Sequence, residues 1–214
     1  MLNRSAMAAN SIVANLLKIN AIKLRPEQPF TWASGWRSPI YCDNRQTLSF
    51  PEVRNGIANA FVQLIRERYP QAEVVAGVAT GAIAHGMLVA DRLGLPFIYV
   101  RSAAKSHGMA NQVEGAYSPG QRVVVVEDLV STGMSSLAAV DALRAAGCDV
   151  QGLVAIFTYQ FPQAVKAFTE AGVAIDTLAN YTELIDQAVP LGYVKAEQLE
   201  LLRQWRTSPA TWGR

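Results

Sequence analysis

The chain is poor in the residues that most often announce chemistry. Its 214 residues include two histidines and two cysteines. No H-E-x-x-H occurs, so a zinc-peptidase helix is excluded. Cys42 and Cys148 lie far apart, with neither metal nor redox spacing, and read as reduced thiols of a cytoplasmic protein. No glycine is followed by lysine, which removes the nucleotide P-loop, and the absence of G-x-G-x-x-G removes the Rossmann dinucleotide site. Charge is nearly balanced: 19 Lys and Arg against 17 Asp and Glu give a formal +2, which is no footprint for nucleic acid. Apolar runs never approach the ~18 residues of a membrane span, so no membrane partner is expected. The N-terminal stretch MLNRSAMAANSIVANLLKIN is interrupted by Asn10, Ser11, Asn15 and Lys18 and does not suit a secretory signal.

Half of the residues are apolar, enough for one core, and the length suits a single domain over 1–214. Ile12, Val13, Leu16, Leu17 and Ile19 fit one face of a first helix. FTWASGWRSPIYCDNRQTLSF (30–50) breaks that period and reads as hairpin and loop. Ser49 with Glu52, and Pro51 in the first turn, predict a capped helix running to about Arg68. Strand patterns then fall at 73–79, 96–101, 122–128, 150–159 and 174–178. Helix patterns fall between them at 81–94, 134–147 and 161–172, with two more at 180–188 and 195–206. This alternation predicts an α/β fold, a mostly parallel sheet flanked by helices. Residues 102–120 show no period, and a loop of that length inside a compact domain is usually functional or disordered.

RVVVVEDLVSTGMSS (122–136) carries the chemistry. A valine strand runs into two acids and then into a hydroxyl-rich turn that opens a helix. Ligands of open α/β sheets bind at the C-terminal ends of strands. The helix start offers free N–H groups and a positive partial charge to phosphate. Gly133 lets the backbone approach, and Ser131, Thr132 and Ser135 add hydroxyl donors. Glu127 and Asp128 cannot bind phosphate; they suit sugar hydroxyls, or a divalent cation reached through water or substrate oxygens. The combination reads as a ribose-phosphate site, although a plainly capped helix after a buried strand fits the same letters.

VVVVEDLVSTGMSS resembles the phosphoribosyl-pyrophosphate (PRPP) loop of type I phosphoribosyltransferases. FTWASGWRSPIYCDNR (30–45) is similar to the N-terminal substrate segment of the orotate phosphoribosyltransferase family, and VRSAAKSHGMANQVEG (100–115) to that family's mobile catalytic loop. The resemblance covers most of the chain. It implies the type I phosphoribosyltransferase fold, with residues 1–48 as a small N-terminal hood over the substrate. It implies transfer from PRPP to orotate, with Mg²⁺ carried by PRPP and no metal ligand from the protein itself. Glu127 and Asp128 match the ribose-binding positions. Leu129, Val130, Ser131, Thr132, Gly133, Met134 and Ser135 match the turn around the 5′-phosphate, and Ser131 also falls where the family touches orotate. Arg101, Lys105 and His107 match loop residues on pyrophosphate and, with Asp128, the catalytic set. It further implies a homodimer whose catalytic loop is shared across the interface.

The chain departs from many bacterial relatives at Ala33, Ser102, Tyr159 and ATGAIAHG (79–86), where lysine, arginine or a Tyr-Lys pair is common. Arg37 and Arg45 are the candidates to replace those charges, as bidentate partners for a carboxylate. His85, on a helix behind a strand, reads as structural. Two other functions share the motifs: a phosphoribosyltransferase for another base, and a PRPP-binding regulator without catalysis. The N-terminal segment speaks against the first, and the lack of a basic stripe against the second.

Overall fold

The computed structural model describes residues 11–102 and 112–213. Helix α1 (11–18) comes first, followed by the short strands β1 (Ile22–Leu24), β2 (Phe30–Thr31), β3 (Arg37–Ser38) and β4 (Ile40–Cys42). β1 pairs with β4 and β2 with β3, both antiparallel. A 3-10 turn, Asn44–Ser49, leads into α2 (Pro51–Arg68). Then come β5 (Val74–Val78), α3 (Ile83–Leu93), β6 (Phe97–Val100), β7 (Val113–Glu114) and β8 (Arg122–Val130). The chain continues through α4 (Met134–Ala145), β9 (Asp149–Thr158), α5 (Pro162–Glu170), β10 (Ile175–Asn180) and α6 (Tyr181–Ala188), and ends with α7 (Leu199–Thr207).

Six strands form the main sheet in the order β10-β9-β8-β5-β6-β7, all parallel except β7. Both faces of such a sheet are covered, so its strands read as unbroken apolar runs. Val123, Val124, Val125 and Val126 are accordingly all sealed from solvent. After β5 the chain adds β6 on one side, then crosses to place β8, β9 and β10 on the other. Strand order therefore reverses between β5 and β8. That reversal opens a crevice at their C-terminal ends.

The predicted α/β architecture is the observed one, with local differences. The Ser49–Glu52 capping box does not form: Ser49 belongs to the 3-10 turn, and Phe50 is the N-cap, with no side-chain bond and Pro51 next to it. The stretch after 102 contains β7, paired antiparallel with β6 through Tyr99–Glu114 and Val100–Val113. The last helix is split into a 3-10 turn, Ala196–Gln198, and α7. Among the described residues no helix is long and apolar enough to cross a membrane.

Aromatic side chains attach the N-terminal hairpin to the end of the sheet. Trp205 of α7 is buried, and its Nε1–H donates to Arg37 O at 3.1 Å. Its ring lies 5.7 Å from Trp32 and from Tyr159, and 5.3 Å from Phe161. A polar contact ties the 3-10 turn to α3. His85 is fully buried, with Nε2 at 2.9 Å from Thr47 Oγ1. Thr47 gives its own proton to Asn44 O at 2.6 Å, so His85 donates to it through Nε2–H. Burial, helped by the Arg54 charge, pulls its pKa down to about 4. A base whose folded pKa lies below the ordinary 6.5 contributes stability that is present above pH 6.5 and lost as pH falls toward 4. Between pH 7 and pH 5 that loss amounts to roughly 1–2 kcal/mol. Urea unfolding at the two pH values should show this slope in the wild type. It should be flatter in His85→Gln, because all other groups are common to both proteins; equal slopes would mean that His85 is not held neutral.

Candidate active site

The crevice between β5 and β8 is a cleft of about 370 Å³. Cys42, Asp43 and Arg45 line it from the N-terminal side, Val78 to Gly81 from the end of β5, and Glu127, Asp128, Leu129 and Ser135 from β8 and α4. A second cleft of about 470 Å³ adjoins it through Ala79 and Thr80 and is completed by Ile83, Tyr99, Arg101, Ser102 and Glu114. The Ala79–Thr80 peptide between them is cis. At Gly81 a Cβ would collide with the carboxylate of Asp128 and displace it, so the bare backbone of glycine lets that carboxylate stay where it is.

Glu127 is 4% exposed although it ends a valine run. Its Oε2 accepts the Ser136 hydroxyl at 2.9 Å and its Oε1 accepts the Asp128 N–H at 3.0 Å. Burial raises its pKa well above the usual carboxylate range, and the adjacent Asp128 charge adds to the shift. Burial raises Asp128 as well, while its contact with Glu127 and the charge of Arg45 hold it back. Two acids this close in a desolvated pocket do not ionise independently. As acceptors at the cleft wall they match the hydroxyl groups of a sugar.

The turn after β8 bends through 131–133 into α4. Gly133 is the N-cap, with φ +85°, and a Cβ there would sit 2.9 Å from the Phe168 ring of α5. Neither helix capping side chain nor acidic residue occupies the first turn of α4. Its leading N–H groups, which have no partner within the helix, are open to an anion.

The candidate residues fall into three places. Glu127, Asp128, Leu129 and Ser135 line the first cleft. Val130 is buried in the core, Ser131 and Thr132 are half-buried in the turn, and Met134 is 77% exposed. Val130 therefore offers a ligand only its main chain. Arg101 stands apart in the second cleft, with Nη1 at 3.6 Å from Glu114 Oε1, too long for a hydrogen bond. Lys105 and His107 lie outside the described residues.

Of the two substitute arginines, Arg45 reaches the first cleft, where Asp43 grips it bidentately at 2.7 and 3.0 Å. Arg37 turns away, its Nη1 at 3.4 Å from Gly213 O. Ser102 lines the second cleft, Ala33 is exposed, and Tyr159 is buried among aromatic rings. Sequence reasoning assigned no role to Gly81, Ser136 or Asn44. Asn44 donates its side-chain amide to Asp128 O at 2.6 Å from 84 residues away.

Known proteins resemble this chain in sequence and in fold. A family model described as "Phosphoribosyl transferase domain" matches residues 45–167. An orotate phosphoribosyltransferase of Porphyromonas gingivalis is 54% identical over 202 residues, covering 94% of this chain and 96% of that protein. One from Streptococcus thermophilus is 54% identical over 204 residues, 95% of this chain and 98% of its own. The crystal structure of orotate phosphoribosyltransferase from Aeropyrum pernix superposes with a TM-score of 0.75 at 28% identity, over 86% of this chain and 99% of that one.

The grip on Glu127 can be measured. Ser136→Ala removes the hydroxyl from a buried carboxyl oxygen and should cost about 1–3 kcal/mol in urea unfolding at pH 7. Ser135→Ala, at the exposed neighbour, should stay within about 0.5 kcal/mol of the wild type. Equal effects would mean that Ser136 does not hold Glu127.

Proposed function

The chain belongs to the orotate phosphoribosyltransferases of the phosphoribosyl transferase family, and from that membership we propose how its own residues carry the reaction. It transfers the 5-phosphoribosyl group from PRPP to orotate, giving orotidine 5′-monophosphate and pyrophosphate in UMP synthesis. The attacked carbon is C1 of the ribose, which gains positive charge as pyrophosphate leaves. Such a displacement needs no protein nucleophile. It needs alignment, and cations or donors on the departing phosphates.

One observation carries the assignment of roles: two adjacent acids, locked at the strand-order reversal, next to an open helix N-terminus. Glu127 and Asp128 hold the ribose hydroxyls. The amides of the 131–135 turn, with the Ser131, Thr132 and Ser135 hydroxyls, hold the 5′-phosphate, and Ser131 also reaches orotate. The second cleft receives pyrophosphate, where Arg101 offsets its charge, with Lys105 and His107 supplied by the loop. Residues 1–48 act as the hood over the base, with Arg45 as the candidate partner for the orotate carboxylate. Thiols unpaired at Cys42 and Cys148 suit a cytoplasmic enzyme.

Among the described residues no three His, Cys, Asp or Glu side chains gather to hold a metal. Glu127 and Asp128 are hard oxygen donors, but they fall short of an octahedral Mg²⁺ shell. They fit a cation that arrives bound to PRPP, within reach of both acids. When bound, Mg²⁺ supplies neutralisation of the leaving pyrophosphate.

A spectrophotometric assay of orotate loss with PRPP and Mg²⁺, run beside uracil, hypoxanthine and adenine, tests the base. Turnover of another base in place of orotate would make the protein a phosphoribosyltransferase for that base. In the same assay Asp128→Asn should lower PRPP affinity or turnover at least tenfold, about 1.4 kcal/mol. Normal kinetics from the folded variant would remove Asp128 from the ribose site.

We also place the loop of one subunit over the PRPP site of its partner in a twofold dimer. Lys105→Ala and Asp128→Asn, each impaired alone, should then complement when subunits exchange. About half the dimers are mixed, each with one intact site, so roughly a quarter of all sites should regain full activity. A mixture no more active than its two parents despite proven exchange would confine each site to one chain.

A further inference from the structure

The contact between Asn44 and Asp128 lies where β5 lets go of β8. β5 stays in register with β8 only as far as Gly77 and Val126, whereas the register with β9 continues to Val130 and Thr158. Asp128 therefore lies beyond the end of the β5 ladder. Its carbonyl accepts from Asn44 Nδ2, at 2.6 Å. Asn44 is 1% exposed, and its Oδ1 lies 3.4 Å from the Cys42 thiol, which donates to it. Both ends of the amide are therefore fixed. Behind it stand Thr47, bonded to Asn44 O, and His85, bonded to Thr47, both fully buried. His85 belongs to α3, and the loop before α3 sets Gly81 against the Asp128 carboxylate.

A network needed only to close the 3-10 turn would end within the turn. This one ends on the carbonyl of the acid that faces the cleft. That carbonyl belongs to the Asp128–Leu129 peptide plane, and fixing the plane fixes the backbone from which the carboxylate projects. We propose that Asn44, backed by Thr47 and His85, is a positioning residue for Asp128: it aims the carboxylate at the ribose hydroxyls of PRPP and couples that aim to the seating of the hood. The inference rests on the reading of Asp128 as a ribose-holding acid.

The test uses the full-length enzyme with orotate saturating, well below its unfolding temperature. Asn44→Ala should raise the KM for PRPP about tenfold, as a slightly misaimed group would. In an Asp128→Asn background the same substitution should add less than about twofold, because the group it positions is already impaired. A loss of thermal stability alone would not produce that dependence. Thr47→Val keeps the volume of the side chain and removes both of its bonds. It should raise the PRPP KM in the same direction, and Thr47→Ser, which keeps the hydroxyl, should bring it back toward the wild-type value. This pair decides the matter should Asn44→Ala fail to fold. If Asp128→Asn itself leaves PRPP kinetics unchanged, the ribose reading falls and the inference with it. If Asp128→Asn impairs PRPP use but Asn44→Ala does not, or if the two effects multiply in full, the inference alone is overturned.

Discussion

Two carboxyl groups on consecutive residues, at the largely buried end of a strand, repel each other and resist burial. The structure resolves this at Glu127, whose oxygens are taken by the Ser136 hydroxyl and the Asp128 amide. Much of the surrounding architecture follows from that constraint. Ser136 must lie in the first turn of α4, so the helix has to begin directly after a short bend. Gly133 permits the bend by packing its bare backbone against Phe168. With Glu127 fixed in this way, Asp128 stands beside it at the wall of the cleft, and Gly81 and Asn44 close on Asp128 from two other parts of the chain.

Topology decides where this happens. β5 and β8 are neighbours whose connections leave in opposite directions across the sheet. Loops therefore diverge at their C-terminal ends and leave a crevice rather than filling it. The valines below it are fully buried and offer nothing polar. A ligand entering from above meets donors and acceptors only on the loops, while the sheet supplies a rigid floor.

Much of this was legible in the sequence because it is local. The run of valines, the two acids and the hydroxyl-rich bend are consecutive, and their order alone implies strand, site and helix. The alternation of apolar periods gave the parallel sheet. What escaped was long-range. Nothing around Asn44 marks a bond to a residue 84 positions away, and nothing around Gly81 marks the carboxylate that a side chain there would displace. The Ser49–Glu52 signal failed for a different reason: the 3-10 turn preceding α2 takes up Ser49, and Pro51 at the helix start needs no donor satisfied. Arg37 and Arg45 were equal candidates by residue type, yet the hairpin directs one toward Gly213 and the turn directs the other into the cleft.

The aromatic junction has an optical consequence. Of the four tryptophans, Trp32, Trp36 and Trp205 meet within one cluster, at 6.4 Å between the first two rings and 5.7 Å between the first and third. The valine sheet itself contains no tryptophan. Near-ultraviolet emission from this protein thus originates mainly where the N-terminal hairpin meets α7. Far-ultraviolet dichroism, in contrast, is dominated by the helices and the sheet. The two signals view different parts of one molecule, so any state in which the hairpin has lifted while the sheet persists is visible as a gap between them, without a label.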